Sequence, residues 1–184
     1  MIQKLFTKCP QLTELNLNHG IGVTTIFGDK ILLDKNLCAL VNNLTPNILK
    51  LNLGSQDFLK DKHVKTLVSR CKKITELNLS FTPITNDSME SIIRNLNFLE
   101  KLNVHSTENI DFSSLLQLKS IPTLKILNCF DLTKQKDAEK IKNLKLQLPH
   151  ISINEDHLSI ACLTKGGWIW EIRSEQQNLF PETC

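Results

Sequence analysis

Apolar residues along this chain switch repeatedly between two periods. Five short stretches alternate with period two: Leu12-Thr13-Glu14-Leu15-Asn16-Leu17, Ile48-Leu49-Lys50-Leu51-Asn52-Leu53, Ile74-Thr75-Glu76-Leu77-Asn78-Leu79, Leu99-Glu100-Lys101-Leu102-Asn103-Val104 and Leu124-Lys125-Ile126-Leu127-Asn128-Cys129. Such alternation predicts a strand with one buried face. After each stretch the apolar spacing lengthens to three and four residues: Asp34 to Asn43 (Leu37, Leu40, Val41), Asp61 to Ser69 (Val64, Leu67, Val68), Asp87 to Asn95 (Met89, Ile92, Ile93) and Asp111 to Lys119 (Leu115, Leu116, Leu118). This is the helical period, and the Asp near each start predicts a carboxylate that accepts hydrogen bonds from first-turn amides. A fifth helix is predicted over roughly Gln135 to Leu146, with Lys134, Lys136, Lys140, Lys142 and Lys145 forming a solvated basic face.

The first positions of the five phrases, 12, 48, 74, 99 and 124, give spacings of 36, 26, 25 and 25 residues. Three of these fall in the leucine-rich-repeat range, so the predicted fold is an α/β leucine-rich-repeat solenoid: a parallel concave sheet with helices outside. The solenoid is expected over residues 1–153, in five to six repeats, with a tail over 154–184. The longer first spacing leaves a glycine-containing loop, Gly20 to Lys30, where a binding protrusion could sit. Residues Ile2 to Pro10 match the back half of a repeat, which sets the expectation that an N-terminal part, cap included, is missing. A shortened last strand is expected within Leu148 to Ile153.

Composition narrows the function classes. The start of the chain lacks the apolar core of a signal peptide, and no stretch approaches the roughly 20 apolar residues of a membrane span. An intracellular protein without membrane contact is expected. Cys9 and Cys71 stand in slots filled by Leu96 and Ile121 in other repeats, and Cys129 stands in a strand slot, so buried free thiols are expected. Residues 154–184 carry a net −3, against +6 for the remainder, so the two parts can attract one another. With 5% aromatics and no basic–aromatic interleaving, a nucleic-acid-reading surface is not expected. No Gly-rich phosphate loop or Gly-x-Ser-x-Gly is present, and His150, His157 and Cys162 match no common zinc spacing. The chain therefore reads as non-catalytic, with no metal and no cofactor.

On a stacked sheet, equivalent positions form columns. Glu14, Lys50, Glu76, Lys101 and Ile126 alternate in sign and predict cross-strand ion pairs, worth only about 0–1 kcal/mol each when exposed. Asn16, Asn52, Asn78, Asn103 and Asn128 predict amides bonding one another along the ladder. Past the strand ends the chemistry varies: Asn18, Gly54, Ser80, His105 and Phe130, then His19, Ser55, Phe81, Ser106 and Asp131. Varied side chains on a regular scaffold suit recognition, and Phe81 and Phe130 are candidate anchors.

The blocks Ile121-Pro122-Thr123-Leu124-Lys125-Ile126-Leu127, Leu148-Pro149-His150-Ile151-Ser152-Ile153-Asn154 and Ile169-Trp170-Glu171-Ile172-Arg173 occur in that order, downstream of Leu67-Val68-Ser69-Arg70-Cys71. Together they resemble the C-terminal run of the S-phase kinase-associated protein 2 family, F-box leucine-rich-repeat substrate receptors of the SCF ubiquitin ligase. The resemblance implies a tail folded back on the concave face. It also implies a non-catalytic surface that takes a small cyclin-kinase-subunit adaptor together with a phosphorylated cyclin-dependent kinase inhibitor, in nucleus and cytoplasm. By position that surface would use strands from about Lys101 onward, Asn103 and His105 included, with Trp168, Trp170 and Arg173 from the tail; the anchors Phe81 and Phe130 come from the columns alone. The family's F-box has no counterpart in these residues, so binding to the SCF adaptor subunit is expected only if an F-box lies upstream. The alternative reading is a stand-alone leucine-rich-repeat scaffold or inhibitor with no ligase role.

Overall fold

A computed structural model describes residues 8–17, 30–130, 132 and 138–154. The five repeat phrases form strands of three residues, β1 (Glu14–Asn16), β2 (Lys50–Asn52), β3 (Glu76–Asn78), β4 (Lys101–Asn103) and β5 (Ile126–Asn128), and the shortened last strand is β6 (Ser152–Ile153). They pair in parallel, in sequence order, and the repeat columns fall into register: Lys50 with Glu76, Leu51 with Leu77, Asn52 with Asn78, and so onward. Between them run α1 (Lys30–Asn43), α2 (Asp61–Arg70), α3 (Asn86–Asn95), α4 (Phe112–Leu116) and α5 (Ala138–Gln147). This is the α/β solenoid that the two periods predict. No helix among the described residues is long and apolar enough to cross a membrane.

The core lies between the sheet and the helices. The first, fourth and sixth phrase positions are buried throughout the inner repeats, as in Ile74, Leu77 and Leu79, and meet Val64, Leu67, Met89 and Ile92 from the helices. From the end of α4 onward the apolar residues Leu115, Leu118 and Ile121 are buried at intervals of three, the period of a 3₁₀ turn, and the chain takes that form over Gln117–Ser120. Lys140 of α5 is not simply solvated, because its Nζ sits 5.4 Å from the centre of the Phe112 ring. β1 is the edge of the described sheet, and its residues are more exposed than their equivalents. Cys9, expected inside, is exposed there for the same reason, while Cys38 is half-buried and Cys71 and Cys129 are buried. Burial pushes the thiols of Cys71 and Cys129 up to about 11 and about 12.

Two hydrogen-bond systems depart from the sequence reading. The asparagines of the inner strands do not bond one another. In β2, β3 and β4 the Oδ1 accepts the backbone N–H two residues on: Gly54 to Asn52 at 3.0 Å, Ser80 to Asn78 at 2.9 Å and His105 to Asn103 at 3.0 Å, whereas Asn128 Oδ1 in β5 is buried without a partner. The Nδ2 groups of these three residues are buried without a hydrogen-bond partner. These three residues thus cap the turns that end β2, β3 and β4. A side chain added at Gly54 would approach Ser80 Oγ at 3.0 Å and Asn52 Oδ1 at 3.2 Å, so this turn is closely filled.

The aspartates also divide their labour. Asp111 caps α4, accepting from the Ser114 N–H at 2.8 Å. For α3 the cap is Thr85, not Asp87. Asp61 reaches into the next repeat, where it accepts the Thr85 N–H and hydroxyl, each at 2.9 Å, and the Ser88 hydroxyl. Asn86 and Asp111 stitch the following pair of repeats in the same way, with Asn86 Nδ2 donating to Asp111 at 2.8 Å and the Asp111 N–H returning to Asn86 at 3.0 Å. Burial of Asp61 favours the protonated acid, but the hydrogen bonds from Ser88 and Thr85 outweigh it and hold the carboxyl below its usual range.

Replacing Asn78 by Ala leaves the buried Ser80 N–H without an acceptor while removing one orphaned donor, a net loss of about 1–2 kcal/mol. Urea unfolding checks this. A carboxyl depressed in the folded chain stabilises it fully above its unfolded value of about 3.9, and that contribution fades as pH falls through the lowered value. The urea midpoint of Asp61→Asn should therefore lie well below that of the unmodified chain at pH 7, with the gap narrowing at pH 3. A gap independent of pH would contradict the assignment.

Candidate functional site

The concave floor carries the charge column in the expected arrangement. Lys50 Nζ lies 3.1 Å from Glu14 and 3.8 Å from Glu76, and Lys101 Nζ lies 3.6 Å from the same Glu76. Glu76, with only 12% of its side chain exposed, is shared by two lysines. The column then ends in Ile126, so Lys101 has an acid on one side and an apolar residue on the other. Its side chain is 44% exposed, against 12% for the Glu76 it pairs with.

At the C-terminal ends of the strands the chain turns through a left-handed residue in the same slot of successive repeats: Ser55 (φ 59°), Phe81 (φ 55°) and Ser106 (φ 52°). The N–H of each continues the ladder, to Ser80 O at 2.8 Å, His105 O at 2.9 Å and Phe130 O at 2.9 Å. These bonds impose the conformation whatever residue stands there. For a bulky side chain such as Phe81 it is costly, on the order of 1–2 kcal/mol.

The same turns bring three predicted residues together. Phe81 meets His105 edge to face with ring centres 4.8 Å apart, and His105 meets Phe130 at 6.2 Å with the rings at 80°. All three are half-buried. His105 Nδ1 lies 3.0 Å from the Phe130 carbonyl, which can only accept, so Nδ1 carries a proton. In the neutral ring Nε2 is then an acceptor, 3.2 Å from the Ser106 hydroxyl. The result is an aromatic rim, fixed in orientation, past the C-terminal ends of β3, β4 and β5.

Asn103, expected to face a partner, is buried at 5% exposure with its Oδ1 on the His105 N–H. Its part is to hold the turn that presents His105. Trp168, Trp170 and Arg173, and the loop from Gly20 to Lys30 up to residue 29, lie outside the described residues.

On the helix side the fold assembles a group that sequence reading passed over. Asp34 and Cys38 stand one turn apart on α1, and His63 on α2 follows one repeat later. Cys38 Sγ and Asp34 Oδ1 lie 3.4 and 3.2 Å from the same His63 nitrogen, Nε2. His63 Nδ1 accepts the Lys60 N–H at 3.0 Å, and Lys62 Nζ donates to Asp34 Oδ2 at 2.7 Å. Burial lowers the pKa of His63 against the pull of the Asp34 charge. The hydrogen bond from Lys62 lowers that of Asp34. Thiol and carboxylate address one ring nitrogen while backbone occupies the other, so this is not the relay of a nucleophilic triad. The signal available in the sequence was an Asp and a Cys at i and i+4 with a His one repeat on.

Comparison with known proteins agrees with this architecture. Among solved structures the chain is similar to actin-binding site 2 of leiomodin-1, at 21% identity over 81% of this chain and 86% of that one, with a TM-score of 0.55. It is also similar to a chain of the Chaetomium Mex67:Mtr2 subunits, at 20% identity over 79% and 99%, with a TM-score of 0.48. The first likeness shows the repeat fold. The family model described as the SKP2 LRR domain matches residues 1–177. This chain therefore belongs to the SKP2 leucine-rich-repeat domain family.

Proposed function

We propose that this chain is the substrate-recognition part of an SCF-type ubiquitin ligase receptor. In this reading it binds a phosphorylated cyclin-dependent kinase inhibitor together with a small cyclin-kinase-subunit adaptor, in the nucleus and cytoplasm. The family's leucine-rich-repeat domain is a protein-interaction module, generally non-catalytic. Recruitment of the ligase would run through an F-box joined on the N-terminal side. The observation that carries the reading is the rim of Phe81, His105 and Phe130. Partly desolvated aromatic rings are the residues that dominate protein interfaces, and Lys101, on the strand that leads to His105, offers a cation suited to an acidic or phosphorylated partner. A phenylalanine kept in a costly left-handed slot, where other repeats place serine, adds support, because such strain tends to be retained at binding sites. Trp168, Trp170 and Arg173 would complete the surface from the tail.

Phe81→Ser installs the residue of the equivalent slots 55 and 106 and should cost the fold no more than about 2 kcal/mol, since it loses one edge-to-face ring contact and part of a buried side chain. Calorimetric titration with the adaptor and an inhibitor phosphopeptide should show at least tenfold weaker binding for Phe81→Ser and for Phe130→Ala, a loss of about 1.4 kcal/mol or more. Tight binding unchanged in both variants would refute the rim as the recognition surface. Capture of a protein partner by a full-length product that fails to bind the ligase adaptor would favour the scaffold alternative.

A further inference from the structure

We propose that Asp34, Cys38 and His63 form a binding site for one divalent transition-metal ion, zinc by its donor set, on the helix side of the solenoid. The first observation is geometric. Zinc bound tetrahedrally at about 2.0 Å from nitrogen and oxygen and about 2.3 Å from sulfur sets those ligands roughly 3.3 Å (N to O) and 3.5 Å (N to S) apart. Here His63 Nε2 lies 3.2 Å from Asp34 Oδ1 and 3.4 Å from Cys38 Sγ, and all three ligand atoms lie within 4.8 Å of one another.

The second observation is an orphaned atom. Asp34 Oδ1 is buried with no hydrogen-bond partner, although His63 Nε2 is 3.2 Å away, and the hydrogen bond of Nε2 is the one with Cys38 Sγ. A cation placed between Oδ1, Sγ and Nε2 would satisfy it. Lys62 holds the other carboxylate oxygen, the type of outer contact that orients a metal ligand, while its charge moderates the affinity. His63, 1% exposed, is fixed by packing, whereas Asp34 and Cys38 are half-buried, which leaves a fourth position for water. Thiolate, imidazole and carboxylate together favour zinc over magnesium or calcium.

Binding has a defined proton consequence. Nδ1 accepts the Lys60 N–H in the metal-free chain, so the neutral ring carries its proton on Nε2. An ion on Nε2 takes that lone pair, and the ring proton passes through solvent to Nδ1, which then confronts the Lys60 N–H as donor against donor. The Cys38 thiol gives its proton to solvent as the sulfur–metal bond forms. Metal binding is thus coupled to release of the Lys60 amide at the start of α2, and it clamps α1 to α2.

Cobalt(II) titration of the whole chain tests the site, since a thiolate ligand produces a near-ultraviolet charge-transfer band. The band should saturate at one ion per chain, disappear on adding zinc, persist in Cys162→Ala and vanish in Cys38→Ala. Asp34→Asn should bind cobalt at least tenfold more weakly, since losing even an outer-shell partner costs about 10–100-fold. With the unsubstituted chain, zinc should shift the Lys60 amide resonance and speed its hydrogen exchange. No band, a band that survives Cys38→Ala, or a Lys60 amide unmoved by zinc would each overturn the proposal.

Discussion

A parallel strand of three residues cannot hold its own register, and everything in this solenoid depends on how neighbouring repeats supply it. Leu51, Leu77, Leu102 and Leu127 are paired side by side and buried, so a slip of one residue would turn an asparagine or a charge into the core. The ladder is carried past the strand ends by the N–H groups of Ser55, Phe81 and Ser106, while Asn52, Asn78 and Asn103 close the turns from within. On the helix side, Asp61 with Thr85 and Ser88, and Asn86 with Asp111, fix each repeat to the next. Stability is therefore shared between neighbours, as expected of a repeat array.

That division frees particular positions for recognition. Slots that set register are filled by leucine and asparagine, and the slots just past the strands are free to differ. Gly54 and Ser80 give way to His105 and Phe130 in one column, and Phe81 interrupts serines in the other. The variation gathers toward β4 and β5, where the charge column also stops alternating. His105 and Phe130 of the aromatic rim and the last lysine of the charge column consequently lie on the same two neighbouring repeats.

Much of this was legible in the sequence because a solenoid turns sequence period into spatial adjacency. The phrase Lys50 to Asn52 finds its neighbour 26 residues on, and the ion pairs Lys50–Glu76 and Glu76–Lys101 follow from the columns alone. What was misread involves bonds that the columns do not encode. Asn78 bonds a backbone amide two residues away instead of its neighbours across the ladder. Asp61 resembles a helix cap in sequence, but its carboxylate serves the next repeat, while Asp111 in the equivalent context does cap its own helix. Equivalence to Leu and Ile predicted burial correctly for Cys71, flanked by repeats on both sides, and not for Cys9 beside the edge strand. The group of Asp34, Cys38 and His63 crosses two helices, and only the packing of α1 on α2 brings its atoms together.

The central claim is that recognition takes place at the rim where Phe81, His105 and Phe130 meet. Amide hydrogen exchange of the chain, with and without the cyclin-kinase-subunit adaptor and inhibitor phosphopeptide, measures this most directly. The account predicts new protection in the turns at 80–82, 105–107 and 129–130, with α1, α2 and α3 unchanged. Protection confined to those helices, with the three turns exchanging as in the free chain, would contradict it.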